Sequence, residues 1–139
     1  MTPTQQNYLG CLVLLLVGIA MGPFFDDEAQ NESRLAELKA GLAAAHYPVK
    51  IGKTSLMTGA DVTDDRVLVT HYVETGKRAA EVTDEERAAI EKSGVAGVCQ
   101  NREMIENFLF LKAYRQEWRD ADGQTIVDVT VTPERCLTR

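Results

Sequence analysis

Charge is missing from the first 25 residues: all 21 acidic and all 15 basic side chains lie from Asp26 onward, and the 139-residue chain carries a formal net charge of −6. Histidine and cysteine are scarce. Only His46 and His71 stand beside three cysteines, with none at ligand spacing, so a zinc site is excluded. Cys-x-x-Cys is absent, which excludes a dithiol redox pair. The serines are Ser33, Ser55 and Ser93, none of them in a nucleophile elbow. Gly94-Val-Ala-Gly97 lacks the lysine and the flanks of a phosphate loop. The negative balance argues against nucleic acid. No catalytic residue, no metal and no cofactor is therefore expected.

What precedes the charge boundary is apolar. Tyr8 to Phe25 is an uncharged run of about 18 residues, at the lower limit for spanning a bilayer. Two readings stand side by side. In a cleaved signal peptide, Ala20-Met21-Gly22 is the small-x-small site, although no basic residue precedes the run and Pro23 follows the cut. In a signal anchor the same segment stays as a helix and holds the protein at the inner membrane. A lipoprotein signal at Leu9-Gly10-Cys11 fails on position, because a lipidated cysteine ends the apolar run and Cys11 nearly begins it. Arg34 and Lys39 follow the segment while no basic residue precedes it, which by charge alone places the domain in the cytoplasm. The cysteines oppose this. Cys99 and Cys136 are the only two beyond the apolar segment, and in an exported domain such a pair reads as a disulfide. The expected location is periplasmic or secreted. The expected organisation is residues 1–25 as signal peptide or anchor and 28–139 as one α+β domain: a small, mainly antiparallel sheet packed on helices.

Along that domain, Leu35, Leu38, Leu42 and Ala45 recur at helical spacing and predict a helix from about Glu28 to Ala45, which Tyr47-Pro48 ends. Val49–Met57 reads as a strand, followed by turn chemistry at Gly59 and Asp64-Asp65. In the strand Arg66–Glu74, Val67, Val69, His71 and Val73 share one face. His71 therefore has a core or half-buried role and points away from Glu74. Thr83-Asp-Glu-Glu86 is a capping box that opens a helix expected to weaken at Gly94. A short helix after Asn101 has Met104, Ile105, Phe108 and Leu109 as its apolar stripe. The chain ends in a hairpin closed by Asp120-Ala-Asp-Gly123. Tyr114 and Trp118 lie on one face of it with Val127, Val129 and Val131, which makes Trp118 a core anchor. Asp120 and Asp122 are read as turn residues and His46 as a helix C-terminal residue.

The opposite hairpin face carries Arg115, Glu117 and Arg119 against Asp128 and Thr130. It is the candidate partner surface. The expected function is a non-catalytic cell-envelope protein that binds another protein. The alternative is an inhibitor of an exported hydrolase, which a protruding rigid loop would favour over a flat sheet face. An enzyme would have to use His71. Membrane contact is expected only through residues 8–25.

The helix followed by Tyr47-Pro-Val-Lys-Ile-Gly-Lys-Thr-Ser-Leu56, and the ending Trp118-Arg-Asp-Ala-Asp-Gly-Gln-Thr-Ile126 through Cys136 with Cys99 upstream, carry a resemblance. Over about residues 35–136 the chain resembles the small exported proteobacterial proteins known as quorum-sensing-regulated virulence factors, and their uncharacterised relatives. It is also faintly similar to secretion-system pilotins, which are commonly lipoproteins. The resemblance implies an exported, compact α/β domain without established catalysis; from the missing catalytic set and the charged hairpin face, the protein bound is expected to be a secretion or virulence component.

Overall fold

The computed structural model describes residues 28–138. The apolar run, its Ala20-Met21-Gly22 site and Cys11 lie outside them. The chain divides into two compact units, one through Ala36 and one from Glu37 onward, and the second carries the sheet. Residues 28–44 are helical (α1). Leu35 is buried, Leu38 and Leu42 are half-buried, and Ala45 is exposed beyond the helix end. No helix among the described residues is long and apolar enough to cross a membrane.

The domain is α+β. Five strands run β1 (Val49–Lys50), β2 (Ser55–Val62), β3 (Val67–Glu74), β4 (Ala113–Asp120) and β5 (Thr125–Val131), in that spatial order. Every pairing is antiparallel except β3 with β4. Parallel neighbours need a crossover connection. Helix α2 (Asp84–Cys99) and helix α3 (Arg102–Glu106) supply it.

Val49–Met57 is not one strand. Ile51-Gly52-Lys53-Thr54 turns the chain, and the Ile51 amide donates to the Ser55 carbonyl at 3.0 Å. Gly59, expected in a turn, lies inside β2 at a bulge where the register shifts between Met57 and Gly59. The next turn is at Asp64-Asp65, and Arg66 leaves it with φ of 62°.

The capping box forms as read: Thr83 Oγ1 accepts from the Glu86 amide at 3.1 Å while the Glu86 side chain accepts from the Thr83 amide. The helix does not weaken at Gly94 but runs on to Cys99. A Cβ at Gly94 would lie 2.5 Å from Gln116 Oε1, the flexible end of that side chain, so α2 meets the Gln116 amide of β4 there. The stripe of α3 is also corrected. The helix stops at Glu106, and a 3-10 turn at Asn107–Leu109 shifts the phase. Ile105 and Leu109 end up 43% and 66% exposed, while Phe110 and Leu111 enter the core.

In the hairpin, Gly123 takes the left-handed φ of 84° that the turn needs. A bulge moves the pairing from Trp118 with Val127 to Arg119 with Thr125. It leaves Ile126 unpaired and buried beside Val129 and Val131, in the place expected for Val127, which is half-buried. Pro133 ends the strand and opens a final short helix, α4 (Pro133–Leu137). A disulfide joins Cys99, the last residue of α2, to Cys136 in α4, with Cα atoms 5.3 Å apart.

Candidate partner-binding surfaces

Arg115, Glu117 and Arg119 alternate along β4 and project to one face of the sheet. Arg115 pairs with Glu117 at 3.2 Å and Asp128 at 3.6 Å; Arg119 pairs with Asp128 at 3.1 Å and Glu117 at 3.6 Å. Parallel pairing sets His71 of β3 opposite Glu117. Its Nδ1 lies 3.1 Å from Glu117 Oε2 and its Nε2 3.2 Å from Asp61 Oδ1. The His71 side chain is 43% exposed, so it belongs to this charged array and not to the core. Asp61 was not foreseen, because the bulge in β2 decides which of its residues face His71. The array spans four strands and its charges close on one another.

Glu74 points elsewhere, accepting from Ser55 Oγ at 2.7 Å and from the Gly76 amide at 2.8 Å. Burial pushes its carboxyl up, but hydrogen bonds from Thr54, Ser55 and Gly76 and the charge of Lys77 outweigh that and hold it below the usual range. Asp120 does more than turn the hairpin. It is 3% exposed and accepts three backbone amides, from Ala79 at 2.8 Å, Asp122 at 3.0 Å and Gln124 at 2.9 Å. The Ala79 bond leads in holding its carboxyl below the usual range. Among the described residues no three His, Cys, Asp or Glu side chains gather as metal ligands.

A second surface was not legible in the sequence. Parallel register places Trp118 beside Tyr72, and the two rings stack at 4.4 Å and 12°. Tyr114, two turns of the pleat away on the same strand, is 3% exposed and gives its hydroxyl to the Met104 carbonyl at 2.8 Å. Trp118 differs from this expected partner in the core: it is half-buried and walls a groove. One hollow of about 460 Å³ is bounded by Ile51, Tyr72, Ala89, Ile90, Ser93, Gly94, Gln116 and Trp118. A second, of about 360 Å³, shares Ile90 and Trp118 and adds Thr54, Glu74, Gly76, Lys77, Val82, Glu86 and Ile126. Exposed Ala89 and Ser93 on α2 were the available signal, since a helix that turns small residues outward leaves room beside it.

No family profile matches the sequence, and no curated protein matches it. Solved structures do match. A Pseudomonas aeruginosa protein described as secreted shares 13% identity at a TM-score of 0.63, covering 79% of this chain and 96% of its own. EpsS, the pilotin of the Vibrio vulnificus type 2 secretion system, shares 19% at 0.55, covering 80% and 92%. AspS, the type II secretion system pilotin of Vibrio cholerae, shares 22% at 0.56, covering 78% and 98%. At these identities the likeness is one of fold. None of the three carries a quorum-sensing virulence name.

Proposed function

We propose that this chain is a non-catalytic protein of the cell envelope that binds a protein component of a secretion machinery, as a pilotin does. The observation that carries the reading is the groove between α2 and the sheet, floored by the stacked Tyr72 and Trp118. It is concave and mostly apolar with a few polar groups, as binding sites are. The fold shared with two pilotins supports it. The disulfide supports export, since such bonds persist in oxidising compartments. In this proposal residues 1–25 are the export signal and 28–139 the working domain, periplasmic or secreted. The Arg115, Glu117, Arg119 and Asp128 face is proposed as a secondary contact, because its charges already satisfy one another. A groove and a flat sheet face suit an adaptor better than an inhibitor.

The test is site-specific photocrosslinking in intact cells, with the photoreactive residue at Ser93 in the groove or at Arg119 on the charged face. A discrete adduct from Ser93 is expected. Adducts from Arg119 alone would move the binding site to the charged face, and none from either would sink the reading.

A further inference from the structure

The second hollow contains one carboxylate with no ion-pair partner among the described residues. Glu74 shares a sheet face with Tyr72, two residues back on β3, and lines the hollow from the sheet side. Its oxygens accept from Ser55 Oγ at 2.7 Å and from the Gly76 amide at 2.8 Å, both neutral donors. Despite burial, these bonds hold its carboxyl below the usual range, so it is charged at neutral pH. Lys77 lines the same hollow, but its Nζ is bound to both oxygens of Glu86, at 2.9 and 2.8 Å. The hollow's own charges are thus one closed pair and one lone carboxylate. Behind its walls Asp120, in register beside Glu74, is offset by Arg87, whose guanidinium is held by the carbonyls of Ala79, Val82 and Ile126. Most of the remaining lining is apolar or aromatic: Val82, Ile90, Ile126 and Trp118.

We infer that the second hollow is a pocket for an arginine side chain of the protein partner, with Glu74 as its counter-charge and Trp118 as its wall. The inference rests on the reading that this chain binds a protein, and adds to it a residue that the partner must bring. A cation is favoured there on two counts. The tryptophan ring attracts it electrostatically. The Glu74 oxygens keep lone pairs beyond their two bonds, which two parallel N–H donors can use. A guanidinium meets both conditions, because it is planar, forks its donors and is hydrated weakly enough to enter an apolar hollow. Glu74 is then a specificity residue. A partner that places an apolar or acidic side chain in the hollow leaves the carboxylate desolvated and unpaired, which selects against it.

The experiment uses the full-length chain in a nonionic detergent and follows the indole N–H resonance of Trp118, the only tryptophan in the sequence. The probes are benzamidinium, whose planar cationic head stands for the guanidinium, and two analogues of the same shape, neutral benzamide and anionic benzoate. Benzamidinium is expected to move the resonance and to bind about ten times more tightly than benzamide, with benzoate weakest and the preference falling with salt. Glu74→Gln should abolish that preference. Lys77→Met, at an exposed position, frees the Glu86 carboxylate and should tighten benzamidinium binding, which tests the charge even where the Glu74 variant does not fold. Equal binding of benzamidinium and benzamide, or a preference unmoved in both variants, would overturn the inference. In cells, the adduct photocrosslinked from Ser93 should weaken in Glu74→Gln. An undiminished adduct would overturn the arginine contact and leave the protein-binding reading standing. Glu74-dependent benzamidinium binding by a chain that yields no adduct from Ser93 or Arg119 would sink that reading, assign the hollow to a free organic cation and overturn the inference with it.

Discussion

Trp118 shows how little a face assignment says about depth. Its strand face is the inner one, yet the ring lies at the border of the helix layer. Its Nε1 is sealed from solvent with no hydrogen-bond partner among the described residues. Two substitutions separate these facts. Trp118→Ala should cost about 2 kcal/mol, below the 3–5 typical of fully buried large aromatics. Trp118→Phe keeps a ring on Tyr72 and removes the unpaired donor, so it should cost less than about 1 kcal/mol. Urea denaturation followed by circular dichroism measures both; a Phe variant as weak as the Ala variant would show that the indole itself is needed. Asp120 makes a prediction in pH. Its carboxyl is lowered in the fold, so the stability it adds is complete above the ordinary carboxylate value of about 4 and is lost as pH falls through the lowered folded value. The gap in melting temperature between wild type and Asp120→Asn should be widest at neutral pH and shrink below about pH 4. A gap that grows on acidification would contradict the three-amide cradle.

At the scale of elements, α2 has two interior glycines with different reasons to be there. Around Gly97 a Cβ would meet nothing within 4 Å. Gly97→Ala should therefore stabilise the protein by up to about 1 kcal/mol through helix propensity alone, measurable as a higher urea midpoint. Gly94 stands against Gln116, whose amide is the flexible end of its side chain, and a Cβ would also touch Val129 at 3.5 Å. Gly94→Ala should leave stability within about 1 kcal/mol of wild type while pushing the Gln116 amide into the groove, so photocrosslinking from Ser93 should fall in this variant and persist in Gly97→Ala. The outer edge of β5 is guarded: Arg87 Nε donates to the Ile126 carbonyl at 2.9 Å and Arg135 Nη1 to the Thr130 carbonyl at 2.7 Å. These arginines occupy acceptors that an added strand would use.

Across the whole molecule, the Cys99–Cys136 bond ties the end of the crossover helix to the element after the last strand, across a sequence separation of 37. Replacing both cysteines by alanine should cost about 4 kcal/mol by the chain-entropy relation for a loop of that length. Free thiols at both positions in protein recovered from the cell envelope, found by non-reducing peptide mapping, would remove the argument for an oxidising compartment. A chain beginning at Asp26 should be soluble and unfold in one cooperative step, since every charged residue lies beyond that boundary. Aggregation of that chain would show that the apolar segment contributes to the folded domain.

What the sequence determined by itself is local or periodic. The capping box at Thr83, the Gly123 turn, the stop at Pro133 and the alternation of β4 each follow from neighbours within a few residues, and those contacts are the same in any fold that contains the element. The charged row Arg115, Glu117, Arg119 was legible for the same reason. The tertiary structure decided everything that depends on which strands lie side by side. The parallel join of β3 to β4 stacks Tyr72 on Trp118 and sets His71 opposite Glu117, pairs separated by 46 residues of chain. Two bulges, each one extra residue, decided that Ile126 and not Val127 enters the core and brought Asp61 to His71. The groove belongs to this second class: its walls come from the turn between β1 and β2, from β3, β4 and α2, and no single stretch of sequence contains it, because a concave surface is a property of packing between elements and not of any one of them.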